Sequence, residues 1–462
     1  MRTRSVGAVS MRARGDWRLM AILAVAVLLR VAVALYLGDV VDAPPLLTDQ
    51  RSYHALGYRL VDGHGFSFPK AWYPFTPADT PTAHWSFLYS LFVAGVYAVF
   101  GPHPLAVRLV QAVLGGLLMP WLVYRLTMRV FGGGGESRKD KDDGSSIGGE
   151  LVALVAAAVT AVYAYFALYA ATLMTETFFI IAVLWTLDVA LSIVYQLQED
   201  LPISWRRGAL LGVSLGVATL LRQSILPWVP VLGLVIAWIG MRRRRLADVV
   251  KLGISIGIAL MLFVLPWTYR NYRVYDRFLL LNSNTGFAMY SAQHPIHGMR
   301  FSEFEAAPLP EGLAWGNEAE MDSALMAQGV QFVLEDPVRY VLLSLSRVRA
   351  FFEFWPTPDT SLLHNLGRVG SFGLVLPLMI YGLVLAGRDG EVLGRVGLIL
   401  VFAAVYSVMH ILTWAMVRYR LPVDAVMMPI VGWALVDLYQ RFSLRLPMGR
   451  RTTPEGSVQP TG

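Results

Sequence analysis

The sequence predicts an all-α polytopic membrane protein, and three features carry that prediction. Apolar runs of about twenty residues recur along the chain, the length a helix needs to cross a bilayer. Only 15% of the 462 residues are charged and 56% are hydrophobic, whereas a soluble globular chain is usually about 25% charged. The mean hydropathy is accordingly +0.52. Basic residues fall in short clusters between the apolar runs, the pattern of the positive-inside rule. In a soluble protein a net charge of +7 would point to nucleic acid. In this pattern it points to the bilayer, and no nucleic-acid partner is expected. The absence of cysteine excludes disulfides, zinc–thiolate sites and a thiol nucleophile, and leaves the redox compartment open.

The first run is Leu19 to Leu37, preceded by Arg2, Arg4, Arg12, Arg14 and Arg18. The apolar core of a cleaved signal peptide is shorter, about 7–15 residues. The segment therefore reads as an uncleaved span, 17–38, with residues 1–18 in the cytoplasm. Further spans are expected at 105–130, 150–170, 172–196, 207–222, 225–240, 249–269, 369–386, 393–414 and 421–438, about ten in all at the usual length. Two of these are short and flank Arg222-Gln223-Ser224. They read either as a tight hairpin reaching the far face or as a re-entrant pair. With the N-terminus inside, the basic clusters all fall on the cytoplasmic side: Arg125 to Lys141, Arg206 and Arg207, Arg242 to Arg245 with Lys251, Arg388 and Arg395, and Arg441 to Arg451. Both termini are then cytoplasmic, in a multi-pass protein of the cell membrane.

Two large segments remain outside, 39–104 and 270–368. Each holds an apolar stretch, 85–100 and 338–356, read here as interfacial helices. Their aromatics (Trp85, Phe87, Tyr89, Phe92, Tyr97, Phe351, Phe352, Phe354, Trp355) suit the headgroup level. The inner loop 132–149 is Gly-rich and charged but lacks the Gly-Lys-Ser/Thr ending of a phosphate-cradling loop, so it reads as a flexible linker. The tail 445–462 reads as disordered. With no tandem repeat, the chain reads as one transmembrane domain.

The polar residues near the outer ends of the spans are the candidates for chemistry. Asp49 opens Asp49-Gln50-Arg51-Ser52-Tyr53-His54; in a helix it would share a face with Tyr53 by i, i+4 spacing, or simply cap the helix. Glu176 begins a long apolar helix, where the macrodipole favours an acid and where an ionisable group at membrane depth is a functional candidate. Arg222, Arg270, Arg418 and Arg420 are expected on the same side. The fixed fork of guanidinium donors suits phosphate, with snorkelling to headgroups as the alternative. Arg30, inside the first span, either reaches the outer cavity or pairs with an acid. His54 and His84 flank the first outer loop. Trp72, Trp85, Trp315 and Trp414 are candidates for stacking on sugars or for interfacial anchoring.

The ordered set of motifs resembles the GT-C superfamily of membrane glycosyltransferases, in the branch of protein O-mannosyltransferases and bacterial aminoarabinose transferases. The likeness rests on Asp49 to Gly57 followed by Asp62-Gly63 and Gly65-Phe66; on Phe87 to Gly101 followed by Ala106 to Leu109; on Thr175 to Phe179; on Leu221-Arg222-Gln223; on Pro266 to Tyr272; and on Arg418-Tyr419-Arg420-Leu421-Pro422-Val423. It covers roughly residues 18–440. The sequence departs from the pattern in carrying a single Asp49 where some relatives have an adjacent acidic pair, and in reading Pro81-Thr82-Ala83-His84-Trp85 before the juxtamembrane helix.

The resemblance implies a GT-C-like bundle that moves a sugar from a polyprenyl-phosphate donor to an extracytoplasmic lipid, glycan or protein acceptor. It also implies that Asp49 is the catalytic base. Arg222, Arg270, Arg418 and Arg420 would then bind the donor phosphate, with Tyr53, His54, His84, Glu176 and Asn271 as further active-site candidates. A lipid phosphate leaves as a stable anion that needs charge stabilisation more than a proton, so one base suffices and the anomeric centre inverts. A divalent metal is left open, with Asp49 and Glu176 as its candidate ligands. The other functions weighed are a lipid or solute transporter or flippase, whose polar groups would sit near the midplane, and a non-enzymatic assembly subunit.

Overall fold

The computed structural model describes residues 16–41, 49–132, 148–302, 305, 307–313, 316–358 and 362–445. The central part of the 132–149 linker, nearly all of the 445–462 tail and Trp315 lie outside the described residues. Among those described, the chain is helical, with two isolated bridges (Ser67 to Pro81, Trp72 to Thr76) and no strand. The helices are α1 (Trp17–Leu37), α2 (Asp49–Val61), α3 (Phe87–Phe100), α4 (Pro104–Phe131), α5 (Gly149–Val162), α6 (Ala164–Ala170), α7 (Glu176–Gln198), α8 (Trp205–Leu221) and α9 (Trp228–Arg242). They continue as α10 (Leu246–Tyr275), α11 (Thr285–Gln293), α12 (Glu318–Glu335), α13 (Pro337–Phe351), α14 (Leu362–Arg368), α15 (Leu374–Arg388), α16 (Gly390–Leu412) and α17 (Val417–Arg445).

Eight helical segments are long and apolar enough to cross a membrane, or nine when α5 and α6 count as one broken span. The protein is an all-α polytopic membrane protein. The remaining expected crossing is α8, whose 17 residues reach about 25 Å at 1.5 Å per residue. It forms a hairpin with α9 rather than a re-entrant pair. Its first turn lies beside the basic end of α10, where the Ser255 hydroxyl donates to the Trp205 carbonyl at 2.7 Å. Its last turn meets the other end of the bundle, where the Ser86 hydroxyl donates to the Leu220 carbonyl at 2.9 Å. Between helices in lipid no hydrophobic drive exists, so close packing by small residues supplies the attraction. Gly208, Gly212 and Gly216 form that stripe on α8. A Cβ at Gly212 would lie 2.5 Å from the Ile256 carbonyl oxygen of α10, and one at Gly216 would lie 2.7 Å from the Phe263 ring.

The span expected at 150–170 is broken. α5 and α6 meet at 57°, with Tyr163 between them in an extended conformation (φ −64°, ψ 115°). A helix end leaves its last carbonyls without intrahelical partners, and Arg30 supplies them. This fully buried side chain of α1 donates to the Ala161 carbonyl at 2.9 Å and the Thr160 carbonyl at 3.3 Å. Neither reading of Arg30 made from the sequence holds: it caps a broken helix, with carbonyls in place of an acid.

The bundle has two unlike ends. At one, Arg125 and Arg129 of α4 meet Asp188 of α7, and Arg245 ties to the Gln196 and Leu201 carbonyls. The described members of the expected cytoplasmic clusters gather here. The other end carries α2, α3, α11, α12, α13 and the segments joining them. The helices of the two expected interfacial stretches are short: α3 has 14 residues and α13 has 15, about 21 and 23 Å against a hydrocarbon core of about 30 Å.

Candidate active site

Helix ends bring the charged residues together. Asp49 is the first residue of α2, Glu176 the first of α7, Arg222 the residue that ends α8, and Arg418 the second of α17. An acid in a first turn gains from the macrodipole, which suits Asp49 and Glu176 to these positions. Arg418 Nη1 donates to Asp49 Oδ2 at 2.6 Å, and Arg222 Nη1 to Glu176 Oε1 at 3.1 Å. The Tyr419 ring joins the two pairs, with the Arg222 guanidinium 4.8 Å and the Arg418 guanidinium 5.3 Å from its centre. The Asp49 side chain is 26% exposed and that of Glu176 only 1%. Asp49 can therefore be reached, whereas Glu176 serves to hold Arg222. Its second oxygen, Oε2, has no hydrogen-bond partner among the described residues.

Tyr53 and His84 complete the group. Tyr53, one turn beyond Asp49, is buried edge-on to Trp85 and Tyr89. Burial pushes its hydroxyl above the ordinary tyrosine range, and the charges of Asp49 and Glu176 push it further. The phenol therefore keeps its proton and is no base. Burial lowers the His84 imidazole, against the opposing pull of Glu318, the Ser283 carbonyl and Asp49. The ring sits in the loop preceding α3, with Nδ1 3.2 Å from the Ser283 carbonyl and its edges against Phe75, Trp85 and Phe287.

The sequence reading missed what holds these ends in place. Arg108, fully buried in α4, donates to the Ala171 carbonyl at 2.9 Å, the Val40 carbonyl at 2.8 Å and Gln50 Oε1 at 2.9 Å. Gln111, one turn on, donates to the Thr172 carbonyl at 2.7 Å. Gln50 Oε1 also accepts from the Leu173 amide. The non-helical stretch before Glu176 is thus tied to the residue next to Asp49. Polar residues three apart inside an apolar span were the available signal. Glu318 gave none. It is buried and accepts from the hydroxyls of Thr76, Thr82 and Ser283 and from the Ala83 amide at 2.6–2.8 Å. It thereby fastens the loop carrying His84 to α12.

Of the four arginines expected together, two meet here. Arg420 points the other way, fully buried, with Nε 3.1 Å from Asp424 of its own helix and Nη1 2.7 Å from the Phe351 carbonyl. Arg270 lies over the rings of Trp267 and Tyr275 and donates to Asn271 Oδ1. Asn271 is buried and donates to the Leu279 and Leu281 carbonyls, so it closes the turn after α10. His54 bonds the Tyr97 hydroxyl at 2.6 Å, in the α2–α3 contact. Trp72 stacks on Phe68 and donates to the Ser52 hydroxyl. Trp414 packs edge-on to Phe301.

Among the described residues no group of three His, Asp or Glu side chains that could hold a metal ion is found. Asp49 and Glu176 each face a guanidinium instead. No protein-family model and no curated protein matches the chain. Among solved structures the chain is similar to ArnT from Cupriavidus metallidurans bound to undecaprenyl phosphate, at 14% identity and a TM-score of 0.40, over 96% of this chain and 82% of that one. It is similar to the apo state of the same protein at 13% identity and a TM-score of 0.40, over 95% and 81%.

Proposed function

We propose that the chain is a membrane glycosyltransferase that moves a sugar from a polyprenyl-phosphate donor to the hydroxyl of a lipid, glycan or protein acceptor, inverting the anomeric centre. The observation that carries this reading is the meeting of Asp49 and Arg418 across 369 positions of sequence, at 2.6 Å, beside the Glu176–Arg222 pair. The site is at the end of the bundle away from the basic clusters, the extracytoplasmic end by the positive-inside rule.

Each residue has a part in the step. Asp49 takes the proton of the acceptor hydroxyl as that oxygen attacks the anomeric carbon. The bond from that carbon to the phosphate oxygen breaks, and the lipid phosphate leaves with the electron pair. Arg418 and Arg222 neutralise the charge that develops on it, and the Tyr419 face holds both guanidinium groups ready, so little reorganisation is needed at the moment of reaction. As the proton transfers, Arg418 passes from Asp49 to the leaving phosphate. Only one exposed carboxylate is present in the group, which suits single displacement; retaining enzymes place two around the sugar.

The test is a screen of synthetic polyprenyl-phosphate sugars with the reconstituted full chain, reading free polyprenyl phosphate. Asp49→Asn is then compared on the donor that works. An inserted, folded Asp49→Asn protein is expected to lose about 10²–10⁴-fold in turnover. Full turnover in that variant would remove Asp49 as the base. Donor uptake into vesicles with no polyprenyl phosphate released would favour a transporter.

A further inference from the structure

The basic end carries a groove that the proposed reaction does not use. It opens on the bundle surface between α4, α7 and α8, with a cavity volume of about 280 Å³ lined by Trp121, Arg125, Trp185, Asp188, Arg207 and Leu210 among others. Arg125 is six residues from the end of α4 and Asp188 ten from the end of α7, so the groove reaches about 9–15 Å in from that end at 1.5 Å per residue. Its floor is charged and its walls are aromatic and aliphatic.

The charges do not balance. Asp188, 3% exposed, accepts from Arg125 at 2.8 Å and from Arg129. The single charge of this carboxylate is already exceeded by the two guanidinium groups that share it. Among the described residues Arg207 donates only to a neutral hydroxyl, that of Ser192, at 3.2 Å. Asp188 is the one acid lining the groove. Three arginines against one aspartate leave a local excess of positive charge where the medium is poor in water. The guanidinium of Arg125 lies 4.8 Å from the Trp121 ring centre, which fixes it in place.

We propose that this groove binds an anionic glycerophospholipid, with its phosphate on Arg207 and Arg125 and an acyl chain along the wall formed by Leu210 and its neighbours. A zwitterionic lipid brings its own cation and leaves the excess uncompensated; a net anionic headgroup removes it. The guanidinium fork matches phosphate oxygens, and the apolar wall continuing inward from them matches a chain attached to the phosphate rather than a free anion. All three helices that build the groove also build the candidate site at their far ends, α4 through Arg108 and Gln111, α7 through Glu176 and α8 through Arg222. Occupancy of the groove therefore stabilises the frame of the site.

The purified full chain in mild detergent is titrated with phosphatidylglycerol, with phosphatidylcholine of the same acyl chains, and with glycerol 3-phosphate, while thermal unfolding is followed by tryptophan fluorescence. Phosphatidylglycerol is expected to raise the unfolding temperature in a saturable way, and the other two to leave it unchanged. Arg207→Gln, remote from the proposed active site, is expected to need roughly tenfold more phosphatidylglycerol for the same rise. Leu210→Trp fills the wall without altering charge and is expected to blunt the response. Equal stabilisation by phosphatidylcholine or by glycerol 3-phosphate overturns the assignment, as does a phosphatidylglycerol response in both variants equal to that of the parent. Should either variant fail to fold, the comparison of the three ligands on the parent chain still decides.

Discussion

Arg418 and Arg420 stand two residues apart in one helix, yet they serve two unlike regions. At about 100° per residue their side chains leave α17 roughly 200° apart. Arg418 faces the open group, 15% exposed, and its partner Asp49 belongs to another helix. Arg420 faces a closed one and is fully buried with Asp424, one turn on in the same helix, where the Tyr163 hydroxyl also donates to the carboxylate at 2.7 Å. Its other donor bonds go to backbone carbonyls of the chain leaving α13. An ion pair made across elements, near an opening, can be exchanged for a substrate's charge. One that is made within a helix, dry and tied to carbonyls, cannot. The closed region instead locks α17 against α5 and α13 and so fixes where Arg418 points.

The sharpest way to break that contrast is to neutralise each arginine in turn. Arg420→Gln leaves Asp424 buried without its cation, and removal of one partner of a buried pair costs about 3–5 kcal/mol. The variant is expected to unfold roughly 10 °C lower in detergent and to be recovered in low yield. Arg418→Gln strands only a partly exposed carboxylate, a change of about 1 kcal/mol or less in stability. Its turnover, by contrast, is expected to fall about 10²–10³-fold, the usual cost of removing one preorganised donor to a developing charge. If Arg418→Gln unfolds while Arg420→Gln turns over normally, the assignment of open and closed regions is reversed.

A finer cut separates the ring of Tyr419 from its hydroxyl. The ring face holds both guanidinium groups, and a cation–π contact of this kind contributes about 0.5–2 kcal/mol. Tyr419→Leu is therefore expected to lower kcat/KM about tenfold, while Tyr419→Phe, which keeps the face, should stay within about twofold. A large loss in Tyr419→Phe would make the hydroxyl, rather than the ring, the functional part.

The two regions also mark what sequence could and could not reveal. Spans were legible because lipid demands long apolar runs, and the clustering of Arg242 to Arg245 with Arg206 and Arg207 at one end was legible because those residues punctuate the runs. Asp49, Glu176, Arg222 and Arg418 were legible as polar residues at span ends. Whether they meet depends on tertiary contacts, and no periodicity separates Arg418 from Arg420 before the direction of the core is known. The break at Tyr163 was hidden because its compensation, Arg30, comes from a helix 130 residues away. Glu318 was hidden for the same reason, since its donors come from residues 76–83, 275 and 283.

The smallest expected effect tests a third kind of carboxyl, one with no cation at all. Asp322 of α12 accepts a hydrogen bond from the Gly286 amide at 2.7 Å. Burial pushes its carboxyl up to about 6, against the opposing effect of the Gly286 and Phe287 amides. In the unfolded chain an aspartate titrates near its ordinary value of about 3.9. Between these values the folded protein holds a proton that the unfolded chain has released, so stability falls as pH rises through this window and levels off above it. Asp322→Asn mimics the protonated form and keeps the acceptor oxygen for Gly286. Its unfolding temperature is expected to match the parent near pH 4 and to exceed it by roughly 2–4 °C at pH 7 and above. A parent that gains stability over the variant between pH 4 and 7 would mean that the ionised carboxylate is the favoured form, held by the Gly286 and Phe287 amides of α11.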